Sequence, residues 1–342
     1  MSPSNRPYLY LILLMIASAL FSVGVGAVFI PPGVVTRMLL TLLPGLHLQP
    51  TWSESFSAIV YQIRLPHTAL IALTGAALAG SGAVFQGVFR NPLADPYLIG
   101  VASGAGLGAV LGLALNPPSQ FGGLYTVPIA AFIGALLTIA IVYNLARVGR
   151  SVPTTTLILA GVAVSAFATS LSSFLMLRSN EELRQAFSWL LGGAIMGGWV
   201  PVLAMLPYIA IGLSFITLSG HTLNVLQFGE EQAQQLGIPV ERAKLILILA
   251  ASLTTAAAVS FAGIIGFVGL IVPHLVRFIW GPDYRRLVPL AIIGGCSALL
   301  LADSLARVIL SPQTIPVGIV TALAGAPFFL WILRRAKDQA YW

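Results

Sequence analysis

Few residues in this chain could do chemistry, and their spacing excludes most of it. The four histidines, His47, His67, His221 and His274, show no HExxH spacing, so no zinc-protease helix is present. The single cysteine, Cys296, rules out a disulfide framework and a cysteine-based zinc site. No GxSxG elbow occurs. The only lysines, Lys244 and Lys337, each follow an alanine, so there is no GxxxxGK[ST] loop to cradle a nucleotide's phosphates. Gly104, Gly106, Gly108 and Gly112 miss the GxGxxG spacing; Gly104, Gly108 and Gly112 fall in the GxxxG register of close helix packing. Asp95 precedes Pro96, the pattern of a helix N-cap followed by proline at the first helical position. Asp303 lies four residues before Arg307, where the two pair on one helix face. A proton or sodium carrier wants an unpaired acid at mid-depth, and none stands out. No catalytic, metal-binding or cofactor-binding residue is assigned.

The elements that carry these residues are set by composition. In 342 residues, 58% are hydrophobic and 8% charged. Soluble domains carry roughly 25% charged residues, so a soluble enzyme, a disordered regulator and a nucleic-acid binder are disfavoured. A helix needs about 20 apolar residues to cross the hydrocarbon. The charge-free intervals predict a first span in Tyr8–Ile30 and a second between Arg64 and Arg90. Two more fall between Asp95 and Arg147, broken at residues 116–120, and a fifth between Arg150 and Arg178. A sixth lies near Val200–Leu218, two short ones between Lys244 and Gly281, and the last two in Leu287–Ala306 and Val308–Leu333. Ten spans with both termini cytoplasmic put twelve of the 17 basic residues inside and five outside, as the positive-inside rule requires. A single crossing between Lys244 and Gly281 would move Arg277, Arg285 and Arg286 outside. Met1–Ala27 resembles a secretory signal but is expected to remain as the first span. The expectation is an all-α polytopic membrane protein, residues 1–342 forming one transmembrane domain.

The longest polar stretch on the inner side is Ser219–Lys244. It predicts two short helices, Leu223–Phe228 and Glu230–Leu236, hinged at Gly229 and stopped by Gly237 and Pro239. Leu223, Leu226, Phe228, Ala233 and Leu236 are expected to form an apolar face outside the bilayer. On pattern alone it suits a lipid surface and a cytoplasmic partner equally. Ser179, followed three residues later by Glu182, has capping-box spacing and predicts a short external helix over 180–191.

Several strings together resemble the FecCD/BtuC-like permease subunits of type II ATP-binding cassette (ABC) importers for vitamin B12, ferric siderophores and haem. They are QIRLP at Gln62–Pro66, NPLADPYLIGVASGAGLG at Asn91–Gly108, LILAGVA at Leu157–Ala163 and GEEQAQQLG at Gly229–Gly237. GFVGLIVPHLVR at Gly266–Arg277, LLLADSLAR at Leu299–Arg307 and IPVGIVTALAGAPFFLWIL at Ile315–Leu333 continue the series to the C-terminal end. The resemblance implies ten helices per subunit, a homodimer, two separate ATPase subunits that bind ATP and magnesium, and an extracytoplasmic solute-binding protein. It implies a bacterial inner-membrane location and a bulky metal-chelate cargo, ferric siderophore or haem first and cobalamin as the alternative. Gly229, Glu230, Glu231, Ala233, Leu236 and Gly237 would couple to the ATPase. Arg64, His67 and Arg307 would dock the binding protein, and Thr154, Thr155, Asn91 and Leu93 would fall at the cytoplasmic gate. Thr154 and Thr155 serve equally as ordinary helix caps. His67 stands where the family often has arginine; its protonation in acid is expected to restore the docking contact. An ion-coupled transporter without an ATPase leaves GEEQAQQLG unexplained, and an intramembrane enzyme lacks a nucleophile and base.

Overall fold

A computed structural model describes residues 5–42, 49, 52–115, 123–149, 151–177, 183–193 and 197–339. Among them seven helices are long and apolar enough to cross a membrane, and three shorter apolar helices bring the set to the ten expected. In chain order the helices are α1 (Arg6–Gly24), α2 (Pro32–Leu40), α3 (Glu54–Ala58) and α4 (Leu65–Val88), the last two joined by a π-helical turn. Next come α5 (Val101–Leu115), α6 (Gly123–Ala146), α7 (Thr154–Met176), α8 (Leu183–Leu190) and α9 (Trp199–Leu218). The chain continues as α10 (Gly220–Leu226), α11 (Glu230–Gln235), α12 (Val240–Ala262), α13 (Val268–Trp280), α14 (Tyr284–Ile309) and α15 (Val317–Gln339). The awkward interval after Lys244 does hold two helices, α12 and α13. The last span starts at Val317, later than the Val308 expected, because α14 runs on to Ile309.

At the centre stands α4, packed on α14, α12, α13 and α9. Its 24 residues make it about 36 Å long, and almost all of its second half is buried. It lies antiparallel to α14. His67 meets Asp303 near one end, Gly75 meets Gly295 midway, and Gly87 meets Tyr284 near the other. At the Gly75–Gly295 crossing the two backbones touch, so a Cβ on either glycine would overlap the other's carbonyl oxygen. With lipid on the outside there is little hydrophobic drive between helices, and close backbone contact supplies dispersion energy instead. The GxxxG register of α5 works the same way: Gly104 and Gly108 press on Gly134 and Ala130 of α6.

Two of the three short helices begin well inside the bundle. With 15 and 13 residues, α5 and α13 are about 22 and 20 Å long, below the ~30 Å of a hydrocarbon core. Each follows an irregular segment, Asn91–Gly100 for α5 and Gly263–Phe267 for α13, and the segments meet. The Tyr97 hydroxyl donates to the Ile265 carbonyl at 2.9 Å and accepts from the Ile265 amide at 3.3 Å. Irregular backbone at membrane depth is tolerated only when such partners are supplied from within the protein. Pro273 lacks the amide that would serve the Gly269 carbonyl one turn earlier. Gln86 of α4 repairs this: its Nε2 lies 3.4 Å from Gly269 O and donates to Leu270 O at 3.0 Å. Gln86 reaches that far only because Gly82, one turn earlier, lets α4 lie directly on Gly269.

The helix lengths repeat. The series α4 to α7 has 24, 15, 24 and 23 residues, and α12 to α15 has 23, 13, 26 and 23. The first runs away from the His67 end and the second towards it. This long-short-long-long order in opposite directions gives physical form to the loose echo between AGSGAVFQGVFRNPL and FAGIIGFVGLIVPHL.

Candidate functional site

The polar residues gather at the two ends of the α4–α14 pair. At one end, α1 terminates at Gly24 and leaves carbonyls without helical donors. Arg64 fills that need: its guanidinium donates to Val23 O at 2.7 Å, to Gly24 O at 2.9 Å and to Val28 O. Arg307 donates to Ser22 O at 3.0 Å and Val25 O at 2.8 Å, and pairs with Asp303 at 2.9 Å. Two cations therefore sit at the negative end of the α1 dipole. Asp303, itself buried, also receives His67 Nε2 at 2.9 Å, and Ser22 hydrogen-bonds Thr68 at 3.0 Å.

Arg64, expected at the docking face, is turned inward in the isolated chain. With 7% of its surface exposed and its guanidinium on three carbonyls, Arg64 clamps α1 to α4 from inside. Arg307 was expected to pair with Asp303 and does, but it also holds α1. His67, with 31% side-chain exposure, is the most open of the three. It faces a cavity of about 140 Å³ shared with Ser188, Gly192, Asp303, Thr314 and Pro316.

At the opposite end, α10 and α11 form a pair of short helices hinged as expected at Gly229 (φ 108°), a backbone angle that glycine adopts readily, although the first runs over Gly220–Leu226 rather than Leu223–Phe228. Gly237, at φ 85°, ends α11 as expected. The pair is fastened to the bundle on three sides. Gln227 Nε2 donates to Gly87 O of α4 at 2.9 Å. Asn224 donates to Asp283 at 2.6 Å and accepts from the Tyr284 amide at 2.8 Å, at the start of α14. Lys244 of α12, itself buried, donates to Glu230 at 2.9 Å. His221 Nδ1 lies 2.7 Å from Arg285; since a guanidinium only donates, that ring nitrogen is the acceptor.

The expected apolar face is narrower than its composition promised. Leu223, Leu226 and Ala233 are buried against the bundle, which leaves Phe228 and Leu236 outward, with 65% and 63% of their surface exposed. Ala233 is thus a packing residue, and a partner would meet its neighbours Glu231 and Leu236.

Asp283 lies between spans. The Asn224 amide, then the Arg285 amide and the charges of Arg285 and Arg286, hold its carboxyl below the ordinary carboxylate value against the effect of partial burial. Because the folded form favours the ionised state, this contribution is complete above the ordinary pKa of about 3.9 and is lost as pH falls through the lowered value. Protection factors at the α10 amides, which remove the steep slowing of intrinsic exchange in acid, should therefore fall as pH is lowered for the wild type. Asp283→Asn should exchange faster than wild type at neutral pH, with the gap closing below about pH 4. A constant gap across that range would remove Asp283 from the tether.

The residues placed at the gate make local contacts. Asn91 accepts from the Leu93 amide at 2.9 Å, a turn just past α4. Thr155 is exposed and Thr154 half-buried at the start of α7, but the hydroxyl that ties this turn is Thr156, 2.9 Å from both Ala146 O and Pro153 O. Asp95 caps Tyr97 N at 2.8 Å as expected, although the turn it opens is a separate 3-10 turn before α5. The short helix expected over 180–191 is α8, Leu183–Leu190; the capping-box residues 179–182 lie outside the described residues. Its Trp189 is buried, and the Trp189 carbonyl lies against Gly263 at the end of α12. Gln86 and Trp189 were not singled out by sequence, although the proline four residues after Gly269 signals a carbonyl in need of a donor.

Among the described residues, ten apolar helices, a fastened elbow at one end, and acids at Asp95 and Asp303 that both have partners make the frame of a multi-pass membrane permease. The chain belongs to the FecCD transport family, whose model matches residues 13–335, and is a permease subunit of an ABC importer. It is 46% identical over 301 residues to the cobalamin import system permease protein BtuC of Halobacterium salinarum, covering 88% of this chain and 80% of that one. It is 37% identical to the hemin transport system permease protein HmuU of Yersinia pestis, covering 96% of each. Among solved structures it superimposes on an inward-facing metal-chelate type ABC transporter with a TM-score of 0.81 at 29% identity, covering 96% of this chain and 99% of the other.

Proposed function

We propose that two copies of this chain enclose a pathway for a bulky metal chelate, each copy acting as a single permease domain driven by a separate ATPase. The α10–α11 elbow is the docking element for that ATPase, which binds the ATP and magnesium; this chain needs no cofactor. The observation that carries the reading is the elbow's construction. Phe228 and Leu236 stand exposed on a segment that hydrogen bonds and a buried lysine fix to α4, α14 and α12. A push there reaches the spans directly.

The same reading places the elbow, the start of α1 and the end of α15 in the cytoplasm of a bacterial cell, with an extracytoplasmic binding protein at the His67 end. The clamp leaves His67 and its cavity, rather than Arg64, as that protein's contact. The cargo class follows from similarity to permeases named for cobalamin, hemin and ferric citrate. Ferric chelates and haem remain the first choice; the 46% identity to a cobalamin permease is what favours the second.

The test is to purify the chain with its ATPase and compare wild type with Phe228→Asp and Leu236→Asp. Exposed positions of this kind tolerate charge in the isolated chain, so melting should be unchanged. Chelate-stimulated hydrolysis should fall by about tenfold or more through lost docking, as at interface hot spots. If no ATPase associates with the wild-type chain, the elbow has been misassigned. If the variants hydrolyse like wild type, the docking face lies elsewhere.

A further inference from the structure

Arg90 occupies a position at which glycine would serve the fold better. At the end of α4 the Arg90 amide donates to Gly87 O at 3.3 Å and the Asn91 amide to Gln86 O at 3.1 Å, the paired bonds of a Schellman cap. The cap needs a left-handed residue at its turn, and Arg90 supplies it at φ 49°. That backbone is unfavourable for any residue with a Cβ, so glycine usually fills the place. The Arg90 side chain does not offset the strain from within. It is exposed, and among the described residues it donates to no carbonyl and pairs with no acid. Glu230, on the far side of the hinge, is already held by Lys244.

The strained turn and the elbow share a carbonyl. Gly87 O, which accepts the Arg90 amide, also accepts Gln227 Nε2 at 2.9 Å. From there the arginine reaches the hinge itself: its Nη1 stands 3.5 Å from where a Cβ on Gly229 would lie. Next to that glycine is Phe228, the most exposed apolar side chain of the elbow. An unpaired guanidinium beside an outward aromatic ring matches a protein surface with an apolar recess and a carboxylate at its edge. Strain in a residue that finds no partner within its own chain points to a partner outside it.

We propose that Arg90 is a second contact for the ATPase, pairing with a carboxylate at the rim of the surface that receives Phe228. The inference rests on the reading of the elbow as the docking element and extends it: the ATPase would hold the end of α4 itself, as well as the segment tied to it. A charge at an exposed rim acts mainly on the rate and orientation of encounter.

The experiment uses the full-length chain in phosphatidylcholine nanodiscs, with and without phosphatidylglycerol, and the purified ATPase. Association is followed at low and high ionic strength, and melting is measured on the chain alone. Arg90→Gly should melt no lower than wild type, because glycine suits the left-handed turn, yet associate roughly fivefold more slowly and with a weaker dependence on salt. Arg90→Glu, which sets like charges against each other, should associate more slowly still. Unchanged association of Arg90→Gly, while Phe228→Asp loses the ATPase, overturns this inference and leaves the elbow assignment standing. Lower melting with unchanged association would make Arg90 part of the cap only. A loss confined to phosphatidylglycerol retention, counted by native mass spectrometry, would make it a lipid contact, and either result overturns the proposal. If wild type recruits no ATPase, the elbow assignment and this inference fall together.

Discussion

Gly82→Ala is expected to yield no folded protein. A Cβ at residue 82 would overlap the Gly269 carbonyl oxygen, a backbone atom at the start of α13 that cannot rotate aside. The helices would have to separate, and Gln86, one turn on, would lose its reach to Gly269 and Leu270. The cost then combines overpacking, about 1–3 kcal/mol, with the Gly269 carbonyl left without a donor, about 1–3 kcal/mol. That total consumes much of the 5–15 kcal/mol by which native proteins exceed their unfolded states. Size-exclusion chromatography in detergent should show aggregate or nothing. Gly33→Ala, where no atom lies within 4 Å of the added carbon, should elute like wild type and guards against a general intolerance of substitution. A monodisperse Gly82→Ala protein with wild-type melting would mean that α13 moves off α4 without penalty.

The second large effect concerns Arg64. Arg64→Ala removes the donors to three carbonyls at the end of α1 and leaves Arg307 and the Ser22–Thr68 bond as the polar ties on that end of the helix. At roughly 1–3 kcal/mol for each buried group left unpaired, the expected loss is about 3 kcal/mol or more, read as lower melting of the isolated chain with no partner present. Arg64→Lys should restore little of it, because an ammonium cannot span carbonyls on two sides of a planar fork. Docking and clamping predict different results here. A docking arginine, once removed, lowers affinity for the binding protein and leaves the isolated chain's melting unchanged, which is the outcome that would restore the surface role.

Arg64 also shows where reading from sequence runs out. The number of helices could be read from charge-free intervals because the bilayer imposes a length on each span, and that constraint is local. The hinge at Gly229 and the cap at Asp95 were legible for the same reason: each is decided within a few residues. Whether an arginine at a helix end faces water or another helix's carbonyls depends on a segment forty residues away, which no local pattern encodes. Composition likewise marked Leu223, Leu226 and Ala233 as apolar residues outside the bilayer, but not that they turn inward against the bundle. Gly75 and Gly295 look like any small residues until α4 and α14 are laid together.

The antiparallel union of those two helices has a consequence for how the machine works. Fastened at His67–Asp303, at the glycine crossing and at Gly87–Tyr284, α4 and α14 form a girder that spans the protein, with α1 clamped at one tip and the elbow at the other. A girder does not store a displacement; it delivers it. The two faces of the membrane are then not free to rearrange one at a time, and the bargain is symmetrical. Under the docking proposed for the elbow, linkage makes the coupling reciprocal: the free energy that a pull on the elbow contributes to opening the far side is returned, by a molecule pressing on the far side, as a changed affinity at the elbow.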